Sequence, residues 1–401
     1  MTLAPYLRVL ALPGVRSFTL LMLFARIPMA ASGITLTLHV VLTLDRGYAE
    51  AGLVGALSTL GIAVGAPLLG RLADRHGLRR LLLITLVGET AFWLAGPLLP
   101  YPVLLAVAFF GGLVTLPVNS IGRQGLAGLV PATDRRTAFS MDSMGVEVSY
   151  MAGPALGVLV VTQLSSTAAL LGIGGSLALV GLVLFVVNPP LRGEHELGDP
   201  APAADTPTGR LGWLSGGMIA VLVSAVGATF VLTGTEVATV AALREAGDVD
   251  WTGLVVICMC LASLVGGFLY GAQPRAVPPA VLVGLLGLLL VPVALVSGHW
   301  WVYALALMPT NLMCAPAIAA TSEAVTRYAP VAVRGMAMGL QSSALTLGTA
   351  IGSPLIGAIV DHTGPAAGFA VAGTCGVALA AVALLLTRWQ ARTSADVRMP
   401  A

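Results

Sequence analysis

Five ionisable side chains interrupt stretches of this chain that are otherwise apolar: Arg26, Arg123, Glu147, Glu236 and Glu323. A charge near the centre of a bilayer costs at least about 2.5–3.5 kcal/mol, so a charge kept there is expected to work for its place. A carboxyl group shielded from water is the residue type from which a proton carrier is built, which makes Glu147 and Glu236 the first candidates for a titrating site. Arginine keeps its proton in proteins, so Arg26 and Arg123 can bias a carboxyl group or bind an anionic one but cannot carry the proton themselves. Arg26 precedes Pro28 and is also long enough to snorkel, and a salt bridge from Arg123 to Glu147 is the plainer alternative to a coupling role. Glu147 stands seven residues before Pro154, hence on about the same helix face. Asp142 and Glu323 fall near the ends of their apolar runs and are expected as solvated gate residues. Glu89 and His39 are weaker candidates, the histidine more readily explained by packing.

The elements that must hold these groups are membrane spans. The chain has 401 residues, 57% hydrophobic and 9% charged, with a mean hydropathy of +0.94, whereas soluble domains carry about 25% charge. Apolar runs separated by charged or Pro/Gly breaks predict twelve helices near 15–43, 50–70, 79–99, 102–130, 138–162, 166–188, 214–242, 252–272, 278–297, 300–326, 335–360 and 366–388. With the N-terminus inside, sixteen of the twenty arginines fall at the cytoplasmic ends, only Arg46 and Arg244 fall outside, and both termini are cytoplasmic. Arg8 and Arg16 before the first apolar run look like a signal peptide, but the run continues past Leu36 without a cleavage site and is expected as a retained span. All twenty basic residues are arginine, the usage of a GC-rich bacterial genome, so the expected location is the bacterial cytoplasmic membrane.

Residues 189–213, rich in Pro, Ala and charge, read as a cytoplasmic linker between bundles 1–188 and 214–401. The two halves look alike. Ala51 to Gly70 aligns with Thr252 to Gly271 at an offset of 201, pairing Gly65 with Gly266 and Gly70 with Gly271. A parallel duplication of six spans is the simplest account, giving an all-α integral membrane protein of two pseudo-symmetric six-helix bundles.

After the second span comes Gly70-Arg-Leu-Ala-Asp74-Arg75-His-Gly77-Leu-Arg79-Arg80. Gly70 allows close helix approach, Gly77 a tight turn, and the arginines hold the segment inside. The pattern resembles the signature between helices 2 and 3 of the major facilitator superfamily, the secondary transporters that work by alternating access. The resemblance implies that Asp74 meets the start of helix 11, where Arg334 and Gly335 stand here, as a conformational latch. The second copy has Arg275 in place of Asp74, so the latch is expected to be single. Gly153-Pro154-Ala-Leu-Gly157 is similar to the antiporter signature of that superfamily's drug and metabolite exporters, against the plainer reading of close packing between spans five and eight. The resemblance further implies that helices 1, 4, 7 and 10 line a central cavity, which would set Arg26 and Arg123 against Glu236 and Glu323 across it.

Phe24, Thr35, Asn119, Thr233, Asn311 and Met313 are the expected cavity lining, a mixture suited to a small amphipathic organic solute. Proton-coupled export is the expected function and proton-coupled uptake the alternative. No phosphate-binding loop, metal cluster or nucleophile constellation is visible, so no enzyme, cofactor or metal is expected. Cys258, Cys260, Cys314 and Cys375 lie in apolar runs and read as packing thiols. A net charge of +2 gives no reason to expect nucleic acid, and the chain is expected to act as a monomer.

Overall fold

The computed structural model describes residues 3–191, 213–273 and 275–396, the last six as backbone only. Most of the expected linker, 192–212, lies outside the described residues. A short helix α1 (Ala4–Ala11) precedes the spans. The first half follows as α2 (Val15–Leu42), α3 (Tyr48–His76), α4 (Leu78–Ala95), α5 (Tyr101–Leu113), α6 (Val118–Leu129), α7 (Arg135–Gln163) and α8 (Ser166–Val187). The second half holds α9 (Gly216–Glu245), α10 (Thr252–Gly271), α11 (Pro279–Leu290), α12 (Trp300–Asn311), α13 (Cys314–Tyr328), α14 (Arg334–Thr363) and α15 (Pro365–Asp396). Among the described residues eleven helical stretches are long and apolar enough to cross a membrane, and Pro279–Leu295 is a shorter twelfth.

Two spans are broken in the middle, at equivalent places in the two halves. The fourth is split into α5 and α6 where Pro117 lacks an amide to continue the ladder. The tenth is split at Leu312 and Met313. At the first break the freed amide of Leu116 donates to Glu89 Oε2 at 3.0 Å, so Glu89 on α4 is a buried structural acceptor. Gly65 and Gly266 show the duplication in three dimensions: a methyl group on either would strike the carbonyl of Leu113 or Leu312, at the break in its own half. Small residues here let two backbones touch, as membrane packing requires where apolar burial gives no advantage over lipid.

The apolar core is not evenly shared. One cluster unites the halves, joining Val15, Phe18, Leu69 and Phe139 to Met218, Ala317, Val325 and Met338. Two others each stay within a half: Ala31, Val54, Trp93 and Leu170 in the first, Val231, Met259, Leu286 and Phe369 in the second. The shared cluster belongs to the end of the molecule bearing Arg71, Arg75, Arg79 and Arg80, hereafter the arginine-rich end. Toward the opposite end each half packs on itself.

The second span is longer than expected. Helix α3 runs through Asp74 to His76 and α4 begins at Leu78, so the expected loop reduces to Gly77, whose φ of 82° suits glycine.

Candidate functional site

At the arginine-rich end the Asp74 carboxylate lies against the first turn of α14. The amides of Gly335 and Met336 donate to its Oδ1 and Oδ2 at 2.9 and 2.8 Å, and Gln124 Nε2 on α6 adds a third contact at 3.3 Å. An anion at a helix N-terminus meets free amides and the positive end of the dipole together. Arg334, the first residue of that helix, is 3% exposed. Gly70 and Gly335 touch backbone to backbone, so a side chain on either has no room. Below them Ser343 Oγ on α14 donates to the Ala63 carbonyl at 2.5 Å, and Ser120 bonds Ser342 at 2.9 Å. Arg79 turns away, donating to the Phe185 carbonyl and lying over the Phe185 ring; Arg75 and Arg80 are exposed.

The pseudo-symmetric junction, between α7 and α10, uses the opposite polarity. Here the free carbonyls at the end of α10 accept from the other half. Thr137 Oγ1 donates to Gly271 at 2.7 Å, Arg136 Nη1 to Gln273 at 2.9 Å, and Ser140 Oγ to Gly267. Tyr6 of α1 reaches across as well: its hydroxyl donates to the Phe268 carbonyl at 2.7 Å and its ring stacks on that residue's at 4.9 Å. Burial pushes the Tyr6 phenol above its usual value, so it remains a donor. Arg136 also pairs with Glu323 at 3.2 Å, and Arg327 closes on the same carboxylate. Sequence reasoning weighed packing of spans five and eight but assigned it to Gly153 and Gly157 and missed these bonds, because backbone carbonyls leave no residue-type signature.

The arrangement of arginines and carboxylates across a cavity is not what forms. Arg26 Nη2 pairs with Asp142 at 2.6 Å and Arg123 Nε lies 3.6 Å from the same carboxylate, all three side chains 3% exposed. Arg26 Nε also donates to Asn119 at 2.9 Å. Asp142 is therefore no solvated gate residue but the shared counter-ion of two buried cations within its own half. Arg123 pairs with it rather than with Glu147.

Glu147, on the same helix, reaches into the other half. Ser263 Oγ on α10 donates to its Oε1 at 2.8 Å, and Cys314 Sγ, the first residue of α13, at 3.1 Å. Glu236 on α9 is exposed and lies within electrostatic reach of Glu147. Neither carboxylate has an arginine partner among the described residues. Tyr150, one turn beyond Glu147, is 57% exposed and lies within electrostatic reach of Glu236, Glu147, Arg123 and Arg26. It is an aromatic side chain close to both carboxylates, and sequence reasoning passed over it.

The expected lining residues do not converge. Thr35 is fully buried beneath Gly157, Asn119 is engaged by Arg26, and Asn311 is 5% exposed and bonded to its own helix. Thr233 is half-buried. Met313 packs between two core clusters. Phe24, 63% exposed, lies on the same face of α2 as exposed Leu20. Gly153 and Gly157 pack on α2, against Ile27, Ala30, Ala31 and Thr35, rather than on the eighth span. The Pro154 bend thus shapes a contact inside the first half.

Two solved structures similar to this chain are the human organic anion transporter MFSD10 (TETRAN), at 17% identity over 92% of this chain and 100% of that one with a TM-score of 0.71, and the proton:xylose symporter XylE bound to 6-bromo-6-deoxy-D-glucose, at 15% identity over 91% and 94% with a TM-score of 0.69. At these identities they show a shared fold. A comparison with curated proteins finds no significant match. The family model described as Major Facilitator Superfamily matches residues 18–269, more than half of the chain, and the protein is a member of that superfamily of transporters.

Proposed function

We propose that the protein is a proton-coupled exporter of small amphipathic organic compounds, here closed at its cytoplasmic end and open to the outside. The observation that carries this reading is the pair Glu147 and Glu236. They come from different halves, lie within electrostatic reach of each other, and have no arginine partner among the described residues, whereas Asp142 and Glu323 each have two arginines. A carboxylate held there without a counter-ion calls for a proton or a positively charged solute. Competition between the two for one pair of carboxyl groups is exchange of proton for substrate. Tyr150 adds a ring face on which a cation is attracted. Asp74, with Gly70, Arg75, Gly77, Arg79, Arg80 and Arg334 around it, acts as the latch of the inner end. The arginine distribution supports an inward arginine-rich end and inward termini.

The test is accumulation of a panel of amines, acids and neutral compounds of matched size in an efflux-deficient bacterial host. Lower accumulation of the amines with the protein present, abolished by a protonophore, is the expected result. Higher accumulation would make it an importer, and an effect insensitive to the protonophore would remove proton coupling.

A further inference from the structure

The two broken spans each begin a half-helix in mid-membrane, and each half-helix start is met by a carboxylate. In the first half the carboxylate is Glu89, which accepts the Leu116 amide, and everything involved belongs to one bundle. In the second half the order is different. The Ala315 amide, in the first turn of α13, donates to Ser263 Oγ at 3.1 Å, and Ser263 in turn donates to Glu147 at 2.8 Å. The Glu147 carboxylate thus receives the field of the half-helix through one hydroxyl, with the Cys314 thiol as a second donor. Every donor is in the second half and the acceptor is in the first.

We propose that Ser263 is a positioning residue that ties the ionisation of Glu147 to closure of the inner end. This rests on the reading of Glu147 as a proton-coupling carboxyl group. Ionised Glu147 accepts charge-assisted bonds, about twice as strong as neutral ones, and takes the favourable interaction of an anion with a helix N-terminus. Both exist only while the halves are together. When the inner end opens, Glu147 leaves with α7 while Ser263, Cys314 and α13 stay behind. Ionised Glu147 is therefore a mid-membrane clasp, and a proton arriving from the outside loosens it. That order suits an exchanger, because the protonated carrier is the one that opens inward and releases the proton there. The groups facing Glu147 are consistent with this. From α10 they are Ser263 and Cys260, from α13 Cys314, from α9 the carboxylate of Glu236, and from its own helix Tyr150, with Arg26 and Arg123 beyond. None is a cation in contact that would hold Glu147 ionised without Ser263.

The experiment uses the full chain in lipid nanodiscs and reads opening of the inner end by hydrogen–deuterium exchange in peptides covering 66–74 and 335–343, corrected for intrinsic exchange, across pH 5 to 9. Wild type opens as pH falls. Ser263→Ala removes a bond made to the ionised form, so its midpoint moves upward by about one pH unit; Ser263→Thr, which keeps the hydroxyl, restores it. Glu147→Gln opens independently of pH, and Ser263→Ala adds no pH dependence to it. A wild-type midpoint in Ser263→Ala overturns the assignment while leaving Glu147 as coupling residue. A shift that persists in the Glu147→Gln background overturns it too, since Ser263 would then act through another group. Wild-type pH dependence in Glu147→Gln itself instead overturns the underlying reading of Glu147.

Discussion

The Asp74 carboxylate at the end of α3 accepts the amide of Gly335 at 2.9 Å across 261 residues of sequence. Its other oxygen takes the next amide. An asparagine in its place keeps one acceptor but turns an NH₂ toward the second amide and removes the charge that the helix N-terminus favours. The loss of a charge-assisted bond and the dipole term comes to about 1–3 kcal/mol, all of it in the closed state. Asp74→Asn is therefore expected to fold and insert normally, to raise deuterium uptake at residues 335–339 about tenfold or more, and to cut transport. Wild-type exchange at those amides would remove Asp74 from the latch.

Asp142 is under heavier constraint. Among the described residues it is the one carboxylate paired with Arg26 and Arg123, and the cluster already carries an excess positive charge, with Arg123 Nη1 lacking a hydrogen-bond partner. Asp142→Asn leaves two arginines facing each other in a buried site, a change that costs about 3–5 kcal/mol where one partner of a buried pair is removed. The variant should lose stability in a thermal melt in detergent, unlike Asp74→Asn. Adding Arg26→Gln should recover part of the loss. If Asp142→Asn melts with wild type, the cluster is not structural.

How far such roles are legible in the sequence depends on the kind of information they need. The spans follow from hydropathy alone, Gly65 with Gly266 follows from the spacing of the repeat, and Asp74 with its glycines follows from the resemblance of that segment to the superfamily's signature. Asp142 and Glu147 do not. Five residues on one helix turn through about 500°, so they face directions about 140° apart and must meet different neighbours. Which of them faces its own bundle depends on the rotation of α7, and that is set by Gly153 and Gly157 locking onto α2, a contact chosen in three dimensions. Glu89 was undervalued for the same reason: its partner is a backbone amide freed by Pro117. The junction at the end of α10 was invisible because its acceptors are carbonyls, which every residue possesses.

Glu236 differs from Glu147 in having no hydrogen-bond donor among the described residues and in being exposed. It should act in binding from outside rather than in closure. Glu236→Gln is expected to weaken binding of an amine substrate about tenfold while leaving the pH-dependent opening of the inner end in place, whereas Glu147→Gln abolishes the latter. Binding to purified protein, measured by calorimetry at pH 8, separates the two. Equal affinity in Glu236→Gln and wild type would take Glu236 out of the site.

Arg136 joins the halves through Glu323 and the Gln273 carbonyl, with its guanidinium over the Tyr270 ring. Its truncation should cost less than the loss of Asp142 for an identifiable reason: Arg327 remains on Glu323, so no carboxylate is stranded. Arg136→Ala should therefore leave the melting temperature nearly unchanged and act on the conformational balance, increasing exchange at the end of α10 severalfold. Tyr6→Phe removes a single hydroxyl from the same carbonyl row, where Thr137 and Ser140 still donate, and should have a smaller effect in the same direction. The double variant tests whether the two share a task. If α1 and Arg136 fasten one junction, together they should open it more than either alone and shift transport toward the inward-open limit. If exchange at the end of α10 stays at the wild-type level in the double variant, closure rests on the Asp74 junction instead.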